Sequence, residues 1–212
     1  MRLRLTATDN DIARSVLPRH GAAMKHLIVG LALFFSNLLR LSAVEASSRL
    51  DDPSQLVASE STWEKACDAR LADYERKTGI KILVQFHAKS PTDAEDAKPG
   101  AYMHALARTL GVDRKGVLVV YFNDDPDWRV WIGDELTNIF TGKPGTVQEL
   151  TASEAIHNVK EAMLTAAHTK AEAEIDRAQK SAPDEKPLTA AQRLAVQTDV
   201  LLDALTAKFI KK

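Results

Sequence analysis

The feature that most constrains the fold is a continuous apolar run at residues 117–122, with the sequence VLVVYF. The run is rich in β-branched and aromatic residues and is too short for an ordinary helix. It therefore predicts a strand that is covered on both faces. Turn-forming residues follow at 123–127, and residues 128–132 then alternate between two faces, as a second strand does. The two segments predict a β-hairpin with an acidic tip.

Further elements are predicted on the N-terminal side of this hairpin. A helix is expected to begin near Ser61, and an alternating strand follows Gly79. A short helix at residues 101–110 then ends at Gly111, just before the hairpin. A strand, a helix and a strand in this order indicate a parallel crossover, to which the last strand is added antiparallel. The predicted fold class is α/β, with a small mixed central sheet sandwiched by helices.

Two additional C-terminal helices are predicted after the hairpin. Residues 153–180 carry apolar residues at helical spacing, although their second half is highly charged, and residues 190–209 present a leucine stripe. A proline-containing linker joins them. We expect the two helices to fold back on the domain as an antiparallel pair. The alternative is that the charged half projects as a partner-binding surface.

The N-terminus has the pattern of an export signal. Residues 24–46 contain a basic start, an apolar run and small residues at the positions that a signal peptidase recognises. Asn37 and Arg40 interrupt the apolar stretch, so a spanning helix of about 20 apolar residues is not available. We expect an exported protein, periplasmic or extracellular, with no stable membrane span in the mature chain. A retained membrane anchor is the alternative.

The predicted domain organisation has four parts. Residues 1–46 form an upstream extension and signal peptide, and residues 47–60 a linker. Residues 61–150 form the α/β domain, and residues 151–212 a helical extension that packs on the domain or projects from it.

Composition excludes several classes of site. The formal net charge is −1 and no basic stripe with interleaved aromatic residues occurs, so nucleic-acid binding is not expected. The single cysteine, Cys67, excludes an intramolecular disulfide and a cysteine-ligated zinc site. Cys67 is expected to face inward as a small hydrophobe.

Three segments of the chain follow the pattern of a known family, and they are ADYERKTGIKILVQF, LGVDRKGVLVVYFNDD and VWIGDEL. They resemble the TPM domain, which is found in thylakoid-lumen proteins and in bacterial extracytoplasmic proteins, and the resemblance covers roughly residues 63–159. It implies an α/β/α sandwich and export from the cytoplasm. In some members it also implies divalent-cation binding, acid-phosphatase activity or a role in the assembly or repair of membrane complexes. The sequence departs from the family pattern after the return strand, where a glycine-rich motif is reduced to residues 133–136. Charged helices also replace the hydrophobic anchor and glycine-rich tail that are common after bacterial versions.

The resemblance carries the family's strand-turn carboxylates over to Asp124 and Asp125, and it places Asp134 in the family's loop region. Carboxylates that cluster on loops supply the oxygen ligands of Ca²⁺ and Mg²⁺, so these three residues are the candidate metal ligands. The strand before Asp134 spans roughly 17 Å, which argues against one site that uses all of them. The alternative is that the acidic tip is only a hairpin turn.

The resemblance to this family favours an interaction or membrane-complex quality-control module with an unidentified protein partner. The competing hypothesis is a low-activity, metal-assisted acid phosphatase, in which Asp124 or Asp125 carries the chemistry. Arg129 or Lys115 would then bind the phosphoryl group, although Arg129 is expected to be a solvated strand residue. No phosphate-cradling glycine loop occurs, and no histidine has the partner of an H-E-x-x-H zinc helix.

Overall fold

A four-stranded mixed sheet lies at the centre of the fold. The computed structural model describes residues 48–181 and 186–210. The predicted export signal and upstream extension at residues 1–46 lie outside the described residues. The strands are β1 (Leu50–Asp51), β2 (Lys81–His87), β3 (Gly116–Phe122) and β4 (Asp127–Ile132), and they lie in sequence order. β1, β2 and β3 are parallel, and β4 is antiparallel to β3. The predicted hairpin and the parallel crossover before it are confirmed.

Helices cover both faces of this sheet. They are α1 (Ser61–Thr78), α2 (Ala101–Thr109), α3 (Thr137–Thr141), α4 (Val147–Ala152), α5 (Ala155–Ser181) and α6 (Ala190–Ala207). Short 3₁₀ turns occur at Ala58–Glu60 and Asp134–Leu136. The predicted α/β fold class is confirmed. In the described part of the chain, none of the helices is both long enough and apolar enough to cross a membrane.

β3 is buried on both faces, as its continuous apolar sequence predicts. Val117 and Val119 belong to a large core shared with α1, α5 and α6, whereas Leu118 and Val120 belong to a smaller core shared with α2. All four residues have no solvent exposure. Because alternate residues of a strand point to opposite faces, β3 divides the molecule into these two layers.

Residues 47–60, which the sequence predicts as a linker, are part of the folded unit from Ser48 onwards. β1 pairs with β2, and both Leu50 and Val57 are buried. The carboxylate of Asp52 accepts hydrogen bonds from the backbone N–H groups of Leu56 and Val57 at 3.0 and 2.8 Å. The segment is therefore not a linker. Two buried apolar residues on either side of a turn produce no periodic pattern, which is why the sequence did not reveal the strand.

The C-terminal helices complete the larger core. Arg193, near the start of α6, donates to the Glu172 carboxylate of α5 at 2.8 Å. Met163 of α5 and Leu205 of α6 are buried in the same core as Val117 of β3. The two helices thus fold back on the sheet and do not project, and residues 151–212 share one core with the preceding segment.

Two glycines allow backbone segments to come close at the base of the hairpin. A Cβ atom at Gly133 would lie 2.6 Å from Arg114 O and 2.7 Å from Gly116 O. A Cβ atom at Gly116 would lie 2.6 Å from Val112 Cβ and 2.8 Å from Lys81 O. Both positions therefore need glycine for space.

Candidate functional site

The acidic residues that the sequence singles out lie at opposite ends of β4. Asp124 and Asp125 lie in the turn between β3 and β4, whereas Asp134 follows the end of β4. The strand between them has six residues, which corresponds to roughly 20 Å of extended chain. The structure brings Asp124 and Asp125 together and keeps Asp134 apart. Within residues 48–181 and 186–210, no group of three or more His, Cys, Asp or Glu side chains is placed to hold a metal ion.

Asp124 fastens the hairpin turn to the loop that precedes α2. Its Oδ1 atom accepts hydrogen bonds from Ser90 N at 2.7 Å, from Ser90 Oγ at 2.9 Å and from Asp125 N at 3.0 Å. Partial desolvation raises the pKa of Asp124, but the hydrogen bonds from Ser90 and Asp125 outweigh it and hold this pKa below its usual value of 3.8. This carboxylate already has a structural use, while Asp125 beside it is exposed.

At the other end of β4, Asp134 begins a short turn that is attached to the segment before β3. Glu135 N donates to Arg114 O at 2.9 Å, and the Glu135 carboxylate pairs with Arg114 at 2.8 Å and with Lys115 at 3.5 Å. Lys115, a candidate phosphoryl-binding residue, therefore lies at the end of the hairpin opposite to Asp124. The two do not form one site.

A groove follows the free edge of β4, and we call it the β4 groove. It has a volume of about 950 Å³ and extends along the strand from Pro126 to Ile132. The loop before α2 and the start of α2 form one wall, and α5 forms the other, with α6 contributing to the floor. The α5 wall contains polar and apolar side chains three or four residues apart, among them His157, Lys160, Glu161, Leu164 and His168.

The backbone of β4 directs into this groove hydrogen-bonding groups that no other strand of the described residues pairs with. Gly133 N donates to Gly116 O of the neighbouring strand, so every second residue of β4 before Gly133 directs its backbone groups toward β3. The N–H and C=O groups of Trp128, Val130 and Ile132 therefore point away from β3, into the groove. Within the described residues, no strand pairs with this edge.

Lys160 touches this edge from the α5 wall. Its Nζ atom donates to Val130 O at 3.3 Å. Among the ion pairs of the described residues, none includes Lys160, so no carboxylate of those residues lies within 4.0 Å of its ammonium group. Burial lowers the pKa of Lys160, and the nearby charge of Glu161 opposes this shift only partly. The groove thus holds a half-buried cation that, among the described residues, donates to a backbone carbonyl of the sheet edge.

Arg129 belongs to the opposite side of the groove. Its guanidinium group donates to the Asp96 carboxylate at 3.1 Å and lies 5.1 Å from the centre of the Phe122 ring. Asp127 also approaches it, at 3.9 Å. Its side chain is 30% exposed. Arg129 is therefore a paired, partly buried residue, and the prediction that it is a solvated strand residue is wrong. The side chain of Arg129 points to the face of β4 opposite to Trp128 and Val130. This face is not open to solvent, because α2 and the loop before it cover it.

Cys67 supplies no reactive group. It is buried in the large core next to α6, as the sequence predicts. Desolvation raises the pKa of its thiol to about 11. The thiol therefore stays protonated near neutral pH, and a protonated thiol is a poor nucleophile.

Sequence reasoning missed the β4 groove and Lys160. A signal was present, because Lys160 directly follows Val159 on the helical stripe that includes Ile156 and Met163. A lysine at the border of an apolar stripe buries its stem and places its charge at the rim. Nothing local shows that this rim is a sheet edge, since Lys160 and Val130 are 30 residues apart in the chain.

No protein-family model matches the chain, and no curated protein matches it significantly. Among solved structures, the chain is similar to the solution NMR structure of the N-terminal domain of a protein from P. gingivalis, with 15% sequence identity and a TM-score of 0.45. The similarity covers 78% of this chain and 87% of that one. Similarity at this level identifies neither a family nor an activity.

Proposed function

We propose that this chain is the interaction module of an exported protein and that it binds an extended segment of a partner protein along the free edge of β4. The observation that carries this proposal is the β4 groove. Its floor includes the outward backbone groups of Trp128, Val130 and Ile132, and its walls stand on both sides of that edge.

The edge of a sheet is a template for a further strand, because its N–H and C=O groups are already arranged for pairing. An extended segment that lies on β4 gains these main-chain hydrogen bonds. Its side chains alternate between the α5 wall and the wall formed by α2 and its loop. The volume of about 950 Å³ lies near the upper end of the usual range for ligand sites. A peptide segment fits this space better than a small metabolite does, since the groove is long and follows a strand.

The same proposal includes a TPM-type domain that acts in the assembly or quality control of a membrane complex. The three segments that resemble the family support this assignment, and the mixed sheet between helical layers is the fold that such a domain implies. The pattern at residues 24–46 supports export. The partner segment is then expected to belong to a protein outside the cytoplasm.

A Ca²⁺ or Mg²⁺ ion at the acidic tip is a secondary part of the proposal. We expect a cation-dependent rise in melting temperature that Asp125→Asn removes and Asp134→Asn preserves, because Asp134 lies at the far end of β4. Thermal unfolding with and without each cation measures it. A rise that survives both substitutions would place the cation elsewhere. No contact in the described part of the chain favours the phosphatase hypothesis, since Ser90 engages Asp124 and Asp96 engages Arg129.

The test of peptide binding begins with a library of random linear peptides displayed on phage, selected on the full-length chain. Selected peptides are synthesised with single backbone N-methyl groups at successive positions. A segment that pairs with β4 bonds through every second N–H group, so we expect N-methylation to abolish binding at alternate positions only. Fluorescence anisotropy measures the affinity. Strand pairing would be contradicted if N-methylation changed the affinity at no position, or if it lowered the affinity equally at every position.

A matched pair of variants locates the peptide on the protein. Thr165 and Thr169 are both exposed threonines of α5, but only Thr165 lines the β4 groove. Thr165→Trp is expected to fill the groove and to block peptide binding. Thr169→Trp places the same side chain on the same helix outside the lining, and it is expected to leave binding unchanged. Equal effects of the two substitutions would place the peptide elsewhere.

A further inference from the structure

We propose that the partner segment carries an aspartate or glutamate opposite Val130 and that Lys160 selects this residue. The inference rests on the proposed binding of an extended segment in the β4 groove, and it specifies the chemistry of that segment. Its basis is the position of one half-buried ammonium group on the sheet edge.

Strand pairing at β4 displaces Lys160 from its present partner. A strand that lies along β4 donates to Val130 O, and its backbone fills the space in front of this oxygen, where Lys160 Nζ now donates at 3.3 Å. The ammonium group then loses its hydrogen bond while it stays in a groove where burial disfavours its charge. A buried polar group without a partner is costly, and an unpaired charge more so. The incoming segment therefore has to bring an acceptor for Lys160.

The geometry of a sheet fixes where this acceptor belongs. The side chain of Val130 packs in the large core, which is the core that α5 also covers. Side chains of directly opposite residues on neighbouring strands lie on the same face. The residue of the segment opposite Val130 therefore points toward α5, the helix that carries Lys160. A carboxylate at this position forms a charge-assisted hydrogen bond with the ammonium group.

The other charges of the groove restrict the acid to this central position. Asp127 is the first residue of β4, and Asp134 lies after the end of this strand. Both line the groove and repel carboxylates near the ends of the segment. Arg129 does not bind the acid, because its guanidinium group lies over the Phe122 ring, on the face covered by α2, and already pairs with Asp96. An internal acidic residue fits better than a terminal carboxylate, since the groove continues beyond Val130 in both directions.

The experiment uses the peptides selected from the library. We expect them to share one central Asp or Glu and to lack acids near their ends. Replacing that residue by Gln or Asn in the peptide should weaken binding to the unmodified protein on the order of tenfold, because a charge-assisted hydrogen bond is lost. On Lys160→Met, the acidic peptide and its amide version should bind equally, while Lys160→Arg should keep the preference. Lys170→Met changes an exposed lysine of the same helix and should leave the preference intact.

The outcomes separate this inference from the proposed function. Peptides that show the alternating N-methyl pattern without an acid preference would overturn the role of Lys160 and leave strand binding in place. The same conclusion follows if the exchange of the acid for its amide weakens binding to Lys160→Met as much as it weakens binding to the unmodified protein. Another group of the protein then binds the acid. If no selected peptide shows the alternating pattern, the proposed function fails and this inference fails with it. Selection of peptides that prefer a free C-terminal carboxylate would also contradict it.

Discussion

Lys160 holds a charged group at the edge of β4, where backbone groups of the strand face the β4 groove. Its hydrogen bond to Val130 O protects the middle of the β4 edge. Charged lysines at sheet edges discourage pairing with other chains, because a strand that approaches has to displace them. The same side chain can therefore prevent indiscriminate pairing and admit a segment that compensates its charge.

Lys160→Met is expected to raise the free energy of unfolding at neutral pH by about 1 kcal/mol, because it keeps the apolar stem and removes a charge that burial disfavours. The pKa of Lys160 is lower in the folded protein than its usual value of 10.5. The unfolded chain thus binds more protons between these two pKa values, and the stability of the unmodified protein rises with pH across that window. The gain in the free energy of unfolding from Lys160→Met should therefore decrease as the pH rises through this window. Urea unfolding over this pH range measures it, with Lys170→Met as the control; an advantage that is constant with pH would contradict the expectation.

Gly133→Ala tests the close approach of backbone segments at the base of the hairpin. Gly133 has a φ of −60°, which alanine adopts freely, so any effect is steric and not conformational. The added Cβ would lie 2.6 Å from Arg114 O, a backbone atom that cannot rotate away. We expect a loss of about 1–3 kcal/mol in the free energy of unfolding. Denaturant unfolding measures it, with Asp134→Ala as the exposed neighbour; equal stability of the two variants would show that the backbone relaxes.

Two carboxylates hold the loop at residues 88–100 in place. The Asp124 carboxylate, in the hairpin turn, accepts two hydrogen bonds from Ser90 of the loop. The Asp96 carboxylate, in the loop itself, accepts hydrogen bonds from Arg129 of β4 and from Tyr102 N at the start of α2. These links turn a polar loop, which has no strand or helix of its own, into one wall of the β4 groove.

Asp124→Ala is expected to release the loop from the hairpin turn. The amide of Ser90 should then exchange with solvent faster, and proteolysis within residues 88–100 should increase. Asp125→Ala is the matched control, since Asp125 is an exposed acid of the same turn. The pKa of Asp124 in the folded protein is below its usual value of 3.8. The contribution of this carboxylate to stability is therefore present above pH 3.8 and is lost as the pH falls through the pKa of the folded state. Hydrogen exchange measured by NMR gives the exchange rate of the Ser90 amide in each variant and its dependence on pH. Equal rates in the two variants would mean that Asp124 does not hold the loop against the turn.

The elements differ in how far the sequence alone could reveal them. β3 was predictable because six consecutive apolar residues have no other reasonable place than a doubly covered strand. The acidic tip was visible as turn chemistry, and the length of β4 already separated Asp134 from it. β1 has two residues and no period, so its pairing with β2 depends on tertiary contacts. The β4 groove was not predictable, because it forms between a strand and a helix whose contacting residues are far apart in sequence.

At the scale of the whole molecule, the large core joins residues from nearly every part of the described chain. Leu50 of β1, Leu71 of α1, Val119 of β3, Ala167 of α5 and Leu205 of α6 all belong to it. The sheet therefore depends on the C-terminal helices for the cover of one entire face. The alternative in which a C-terminal helix projects as a partner-binding surface does not fit this arrangement.

Deleting residues 182–212 is expected to abolish cooperative unfolding, because the deletion uncovers the apolar face of β2, β3 and β4. Leu205→Ala provides a graded version, since Leu205 has no solvent exposure. We expect it to lower the free energy of unfolding by about 2–5 kcal/mol. Lys208→Ala, at an exposed position near the end of α6, is the control and should change little. Circular dichroism during thermal unfolding measures all three; a truncated chain that still melts cooperatively would contradict a shared core.

The position of α6 in the chain has a consequence for biosynthesis. The sheet ends at Ile132, but the helix that closes its larger core begins only at Ala190. At about 5–20 residues per second, a ribosome needs several seconds to make the intervening segment. During this interval the nascent chain cannot reach its final state and remains open to chaperones. The proposed export is compatible with this order, because a chain that folds this late can enter a translocation channel before its core closes.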